Sequence, residues 1–219
     1  MAGIGYRQHI MGKIQQLPFD KPIYSETIAS DLAKQFNIDM KKARSLANVN
    51  LGRLTNKCLE RYQKGIYYKA QATPFGKTRL NPAYVARDAY VCKDGEVIGY
   101  ETGASFLNQI GLTTQIPKYR YYATNAFKQN GSRVVGDLNI VIRKPVAKVT
   151  KENCLYLQLL DAIENKDKAP IDAINPEAII VGYMKNRKLE FGELIGYAKK
   201  YYRGEILLQI GEIAAKTLL

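Results

Sequence analysis

Tryptophan is absent from this sequence, histidine occurs once and cysteine three times, and each scarcity removes a class of chemistry. With His9 alone, no histidine-dependent triad, paired-histidine metal cluster or histidine acid/base pair can be assembled, so a surface or partly packed side chain is the reading that remains. Cys58, Cys92 and Cys154 lie far apart without metal-ligand spacing, a pattern that suits reduced thiols in a core rather than ligands or nucleophiles. No apolar run reaches membrane-spanning length, and residues 1–7 lack the apolar core of a secretory signal, so the expected compartment is the cytoplasm, with no membrane partner. Also missing are a glycine-rich phosphate loop with its lysine and hydroxyl, Gly-x-Gly-x-x-Gly after a strand, Gly-x-Ser-x-Gly and His-Glu-x-x-His. An enzyme is therefore not expected, nor a metal or cofactor. Asp88, Asp94, Glu96, Glu101 and Asp137 make no tight constellation in sequence, but a metal-dependent nuclease site built from scattered carboxylates stays open as the lesser alternative.

Acidic residues are scarce as well, and unevenly so. Against a net charge of +13, residues 1–70 hold 12 Lys and Arg with 5 Asp and Glu, residues 71–150 hold 11 with 5, and residues 151–219 hold 10 with 10. The three segments carry +7, +6 and 0. A basic two-thirds beside a neutral third implies one polyanion-facing region and one region with another task. The 219 residues and 46% hydrophobic content fit an ordinary globular chain of one large domain or two small ones.

What is present is organised around Tyr24 to Lys69. Ser25 offers an N-cap oxygen ahead of Glu26, a carboxylate near the positive end of a helix dipole. Ile28, Ala29, Leu32, Ala33 and Phe36 then recur at three- and four-residue steps, predicting one buried stripe on a short helix. Asn37-Ile38-Asp39 breaks the pattern, and Asp39 can cap a second helix with Ala43, Leu46, Ala47, Leu51, Leu54 and Cys58 on one side. The other side carries Lys41, Lys42, Arg44, Ser45, Asn48 and Arg53, phosphate-binding cations mixed with side chains able to reach base edges, as a major-groove helix requires. Leu59 to Tyr62 and Ile66 to Lys69 flank Gln63-Lys64-Gly65, predicting a hairpin whose glycine takes a positive φ. Amphipathic helices with solvated charged faces occur in any small helical subdomain, but the hairpin directly after them, bearing Arg61, Lys64 and Lys69, is an independent signal for a winged helix-turn-helix. Tyr6 to Leu17, stopped by Pro18, supplies the first helix of that module, and Lys21 to Tyr24 a short first strand.

A boundary is expected between about residues 70 and 84, where Thr73-Pro74-Phe75-Gly76 and Leu80-Asn81-Pro82 punctuate the chain. This gives a first domain over 1–72 and a second over 73–219, β-rich across 84–145 and helical across 151–219. Within the second, Asn81 to Ala89 reads as a helix. Ala89 to Cys92 and Val97 to Tyr100 read as a hairpin around Asp94-Gly95. A short helix from Thr102 is closed by Gly111, followed by extended Leu112 to Ile116. Lys118 to Thr124 and Val134 to Arg143 read as strands of a small mixed or antiparallel sheet. Tyr119, Tyr121 and Tyr122 beside Arg120 invite a stacking role, although half-buried strand aromatics account for them more simply. Helices are expected over Asn153 to Glu164, from Pro176 to about Lys185 with Asn175 as cap, over Glu190 to Tyr202, and over Glu205 to Leu219. The fold class is thus α+β: an N-terminal winged helix-turn-helix, then a mixed β-sheet with a helical C-terminal part.

The order of features resembles the antitoxin-side regulators of the AbiE abortive-infection type, the AbiEi-like proteins of type IV toxin–antitoxin systems. The residues that carry the resemblance are Leu51-Gly52-Arg53-Leu54 leading to Lys64-Gly65-Ile66-Tyr67-Tyr68, then Thr73-Pro74-Phe75-Gly76, and above all Thr102-Gly103 through Gly111-Leu112-Thr113-Thr114-Gln115-Ile116-Pro117. It covers roughly residues 6–145. The resemblance implies a winged helix bound to double-stranded DNA, often at the system's own promoter, and a C-terminal domain that neutralises a nucleotidyltransferase-like toxin. The expectation is a DNA-binding transcriptional regulator acting as antitoxin and autoregulating its operon, with Lys41, Lys42, Arg44, Ser45 and Asn48 over the major groove. Arg53 and Lys57 are expected near the backbone, with Arg61, Lys64 and Lys69 on the wing. The alternative from another class is a protein-interaction module that neutralises a toxin without specific DNA binding.

Overall fold

A computed structural model describes residues 5–166 and 170–216. Ile10 and Ile14 fall one turn apart and are both buried, which fixes the inner face of α1 (Tyr6–Gln16). A two-residue strand, β1 (Ile23–Tyr24), leads into α2 (Ser25–Phe36); Asn37 in the left-handed conformation ends it, and Asp39 caps α3 (Met40–Leu54) by accepting from the Lys42 amide at 3.0 Å. The start of α2 differs from expectation: Ser25 is already helical, Tyr24 occupies the cap position, and no side chain caps it. Two strands follow, β2 (Glu60–Gln63) and β3 (Ile66–Tyr68), joined by Lys64-Gly65 with Gly65 at φ +79°. The sheet order is β1-β3-β2, all antiparallel. Ile23, Ile28, Leu32, Ala43, Ala47 and Leu51 join Ile10 and Ile14 in one core, each fully buried Leu or Ile stabilising the unit by about 1.5–3 kcal/mol.

A second small hairpin, β4 (Ala72–Thr73) with β5 (Gly76–Lys77), precedes α4 (Pro82–Tyr90). The chain divides into two compact units between Val85 and Ala86.

In the second unit the Asp94-Gly95 turn joins only two-residue arms, β6 (Cys92–Lys93) and β7 (Glu96–Val97). The longer arms expected from sequence are used elsewhere. Ala89 and Tyr90 extend α4, and Gly99 opens β8 (Gly99–Thr102), where a Cβ would lie 2.1 Å from the Tyr90 carbonyl oxygen and 2.6 Å from that of Ala123. After α5 (Gly103–Gln109) and the Gly111 turn comes β9 (Arg120–Thr124). The stretch Val134 to Arg143 is two strands rather than one. Gly136 and Asn139, the latter at φ +52°, fold it into β10 (Ser132–Val135) and β11 (Ile140–Arg143). The sheet is mixed, in order β10-β11-β9-β8, with β9 and β11 parallel. Tyr122, Ile140 and Ile142 pack with Ala86 on one face; Tyr100 and Ala123 pack with Leu157 on the other.

Four helices follow among the described residues of this unit: α6 (Cys154–Asn165), α7 (Pro176–Arg187), α8 (Phe191–Tyr201) and α9 (Glu205–Ala215). Every residue from Leu157 to Ile163 is buried, so α6 is their central helix, and Asn175 caps α7 through the Ala178 amide. The expected end of the last helix, 217–219, lies outside the described residues. The cysteines are not core residues: Cys58 is exposed in the turn after α3 has ended at Leu54, and Cys92 and Cys154 are half-buried at element starts. Among the described residues no helix is long and apolar enough to cross a membrane.

Candidate nucleic-acid interface

The buried positions of α3, Ala43, Ala47, Asn50, Leu51 and Leu54, leave the opposite side to solvent. At about 3.6 residues per turn, Lys41, Arg44, Ser45 and Asn48 form one line along that side, and all four are exposed. Lys42 and Arg53, also exposed, run beside it with Val49, a residue absent from the sequence expectation. Val49 is 47% exposed and adds an apolar contact of the kind that suits a thymine methyl. Its signal was available: it sits between Asn48 and Arg53, off the Ala43-Ala47-Leu51 stripe.

Arg44 is not free on this face. Its Nε donates to both carboxylate oxygens of Glu26, at 3.0 and 3.1 Å, and its NH2 donates to Oε1 at 2.6 Å. The hydrogen bond from Arg44 lowers the Glu26 pKa and raises that of Arg44. The fork fixes the guanidinium plane between α2 and α3. Both side chains are more than half exposed, so water screens the pair and a phosphate or guanine edge can compete for the same donors.

The β2–β3 turn is tied to the start of α2, where the Ser25 amide donates to the Gly65 carbonyl at 2.8 Å. Lys64 at the tip and Arg61 on β2 are exposed, as is Lys57 in the turn after α3. Lys69 stands apart from them. Its Nζ donates to the Gln15 and Leu17 carbonyls, at 3.1 and 2.7 Å, and lies 4.6 Å from the Phe19 ring centroid, so it closes the C-terminal end of α1.

His9 is also accounted for by packing. Its Nε2 pairs with Asp31 at 2.6 Å, and Lys13 reaches the other oxygen at 2.8 Å. Partial burial opposes ionisation of Asp31, but these hydrogen bonds outweigh it and hold the carboxyl below the ordinary range.

The second unit contains a polar cluster that sequence reading missed. Asp161 on α6 is fully buried, accepts from the Tyr100 hydroxyl at 2.9 Å, Thr102 at 3.0 Å and Tyr202 at 2.7 Å, and pairs with the Arg143 guanidinium. Strand register explains the convergence. Tyr100 and Arg143 both pair across Ala123, and Thr102 follows Tyr100 by two, so all three lie on the α6 side of the sheet around a small residue. Burial first, and then the Asp161 charge, pushes the Tyr100 and Tyr202 hydroxyls far above their ordinary range. No buried side-chain polar atom among the described residues lacks a hydrogen-bond partner, and the cluster joins β8, β11 and α6 to the end of α8. The tyrosines of β9 have no comparable role: Tyr122 is buried, Tyr121 half-buried, and Arg120 exposed 3.9 Å from Glu101.

Among the described residues no three His, Cys, Asp or Glu side chains converge as a metal site. No protein-family model matches the chain, and no curated protein shows significant similarity to it.

Proposed function

We propose that the first unit is a winged helix-turn-helix and that the protein is a DNA-binding regulator reading duplex DNA through α3. The observation that carries this reading is the exposed line Lys41, Arg44, Ser45 and Asn48, flanked by Lys42, Val49 and Arg53, on a helix whose other side is core. Two further features support it. The element order α1-β1-α2-α3-β2-β3 with a β1-β3-β2 sheet suits a winged module, and its turn holds Lys64 beside the start of α2. Lysines and Arg61 supply phosphate affinity; Asn48, Ser45 and a released Arg44 supply discrimination. Action as the antitoxin of a type IV-like pair, autoregulating its operon and neutralising a nucleotidyltransferase-like toxin, rests on the resemblance of residues 6–145 described above.

The test is a gel-shift series on the DNA upstream of the gene. Lys64→Gln should weaken binding alike on all sequences and reduce the log–log salt slope by about 0.9. Asn48→Ala should chiefly erode discrimination, by about 1–3 kcal/mol between right and wrong base. Absence of any shift at low salt overturns the reading.

A second reading, a module that holds a partner protein, draws on the charge-balanced segment 151–219, 10 cations with 10 carboxylates, in which α9 leaves Leu208 73% exposed. Co-purification with the product of the neighbouring gene, repeated with Leu208→Asp, separates it from DNA binding alone.

A further inference from the structure

A concave groove of about 500 Å³ opens in the second unit where β9 ends and β11 is left behind. Its apolar lining is Phe127, Pro145 and Val146; its cations are Lys128, Lys144 and Lys148; and no Asp or Glu lines it. All three lysines are exposed, and none takes part in an ion pair among the described residues. Eight Lys and Arg against the single carboxylate of Asp137 lie between Lys118 and Lys151. Arg120 and Arg143 of these face Glu101 and Asp161, whereas the three groove lysines have no carboxylate partner among the described residues.

The groove is held in shape. Asn125 brackets Val149, donating to its carbonyl at 2.8 Å and accepting from its amide at 2.9 Å. Asn153 does the same one step on, donating to the Lys148 carbonyl at 2.9 Å and accepting from the Thr150 amide at 2.8 Å. The Phe127 amide donates to Thr124 at 3.1 Å, which fixes the turn that carries Lys128. Phe127 is 6% exposed beneath the Arg133 guanidinium, so the open apolar surface is chiefly Val146, 43% exposed.

We propose that this groove binds single-stranded nucleic acid, one unstacked base resting on Val146 while adjoining phosphates meet Lys128, Lys144 and Lys148. Charge complementarity selects a phosphate-bearing partner. The apolar lining then selects a single strand over a duplex, whose bases are stacked away and which offers a concave apolar pocket nothing to fill it. The groove is built from residues of the second unit alone, and the proposal does not rest on duplex binding by the first.

The test uses the full chain and a labelled single strand of about 12 nucleotides, with fluorescence anisotropy over a salt series. With Lys128, Lys144 and Lys148 all changed to Gln, the log–log salt slope should fall by about 2, three phosphates at about 0.7 each, and duplex binding should be unchanged. Val146→Asp should weaken the strand several-fold, as should an abasic strand of equal length on the wild type; circular dichroism and melting controls confirm that these surface variants fold. The proposal is overturned by no strand binding at low salt, by an unchanged slope in the triple variant, or by abasic strand or inorganic polyphosphate binding as tightly as the oligonucleotide. It is overturned equally if Lys41→Gln with Lys42→Gln, rather than the groove variant, abolishes strand binding, since the strand would then occupy the α3 face.

Discussion

Two carboxylates, Glu26 and Asp161, show opposite uses of the same group. Glu26 is solvated and holds Arg44 in a fork on the proposed DNA face. Replacing it with Gln removes a negative charge from that face and releases the guanidinium, so duplex affinity should rise several-fold, with the gain shrinking as salt is added. An unchanged dissociation constant across a salt titration would show that Arg44 does not approach DNA. Asp161 is buried, and Arg143, Tyr100, Thr102 and Tyr202 supply its partners. Asp161→Ala leaves the partly buried Arg143 guanidinium and three hydroxyls without their acceptor, and urea unfolding should report a loss of roughly 3 kcal/mol, below the full cost of a buried unpaired charge because solvent reaches Arg143. The tyrosines set an alkaline limit. Their folded-state pKa values are raised above the unfolded value near 10, so their protonated forms are favoured by folding: stability is intact below pH 10 and falls as pH rises beyond it. The fall should approach about 1.4 kcal/mol per pH unit for each tyrosine, and Tyr202→Phe should remove one of the two contributions.

At the scale of elements, the Lys64-Gly65 turn combines two constraints. Gly65 has φ +79°, and a Cβ there would lie 3.2 Å from Ser25 Oγ. Gly65→Ala should lower unit stability by about 1–2 kcal/mol in a thermal melt, and Gly65→Asn, whose side chain tolerates the left-handed region, by less. Turn chemistry of this kind was readable in sequence because it is local: Lys64-Gly65, Asp94-Gly95, the Asp39 and Asn175 caps and the Gly111 stop all lie where residue type alone places them. What was not readable depended on distant neighbours. Val134 to Arg143 looked like one strand because valine and isoleucine flank Gly136 on both sides and mask the turn. The Asp161 cluster joins residues 18 to 61 positions apart, and only strand register reveals that Ala123 leaves room for it. Lys69 looked like a wing cation because nothing local shows the Gln15 and Leu17 carbonyls that hold it. Of the proposed DNA face, the α3 line was legible from periodicity; the Glu26 fork across 18 residues was not.

For the whole molecule, the distribution of charge predicts how its interactions separate. The basic segments, +7 and +6, contain α3 and the lysine groove, whereas residues 151–219 balance 10 cations with 10 carboxylates. Duplex binding through α3 releases counterions and must fall steeply with salt, by about 0.9 in log–log slope for each phosphate engaged, while strand binding in the groove falls by about 0.7 for each. A protein partner seated on the helical part, where Leu208 is exposed and the segment is neutral, gains mostly from apolar burial and has few counterions to release. Raising salt from about 50 to 200 mM should therefore cost duplex affinity about a thousandfold if six phosphates are engaged, and change partner affinity little. Calorimetry of the partner complex alongside anisotropy with DNA checks this directly. Parallel losses would mean that the partner uses the basic surface, so that DNA and partner compete for one face and the neutral third has no binding role of its own.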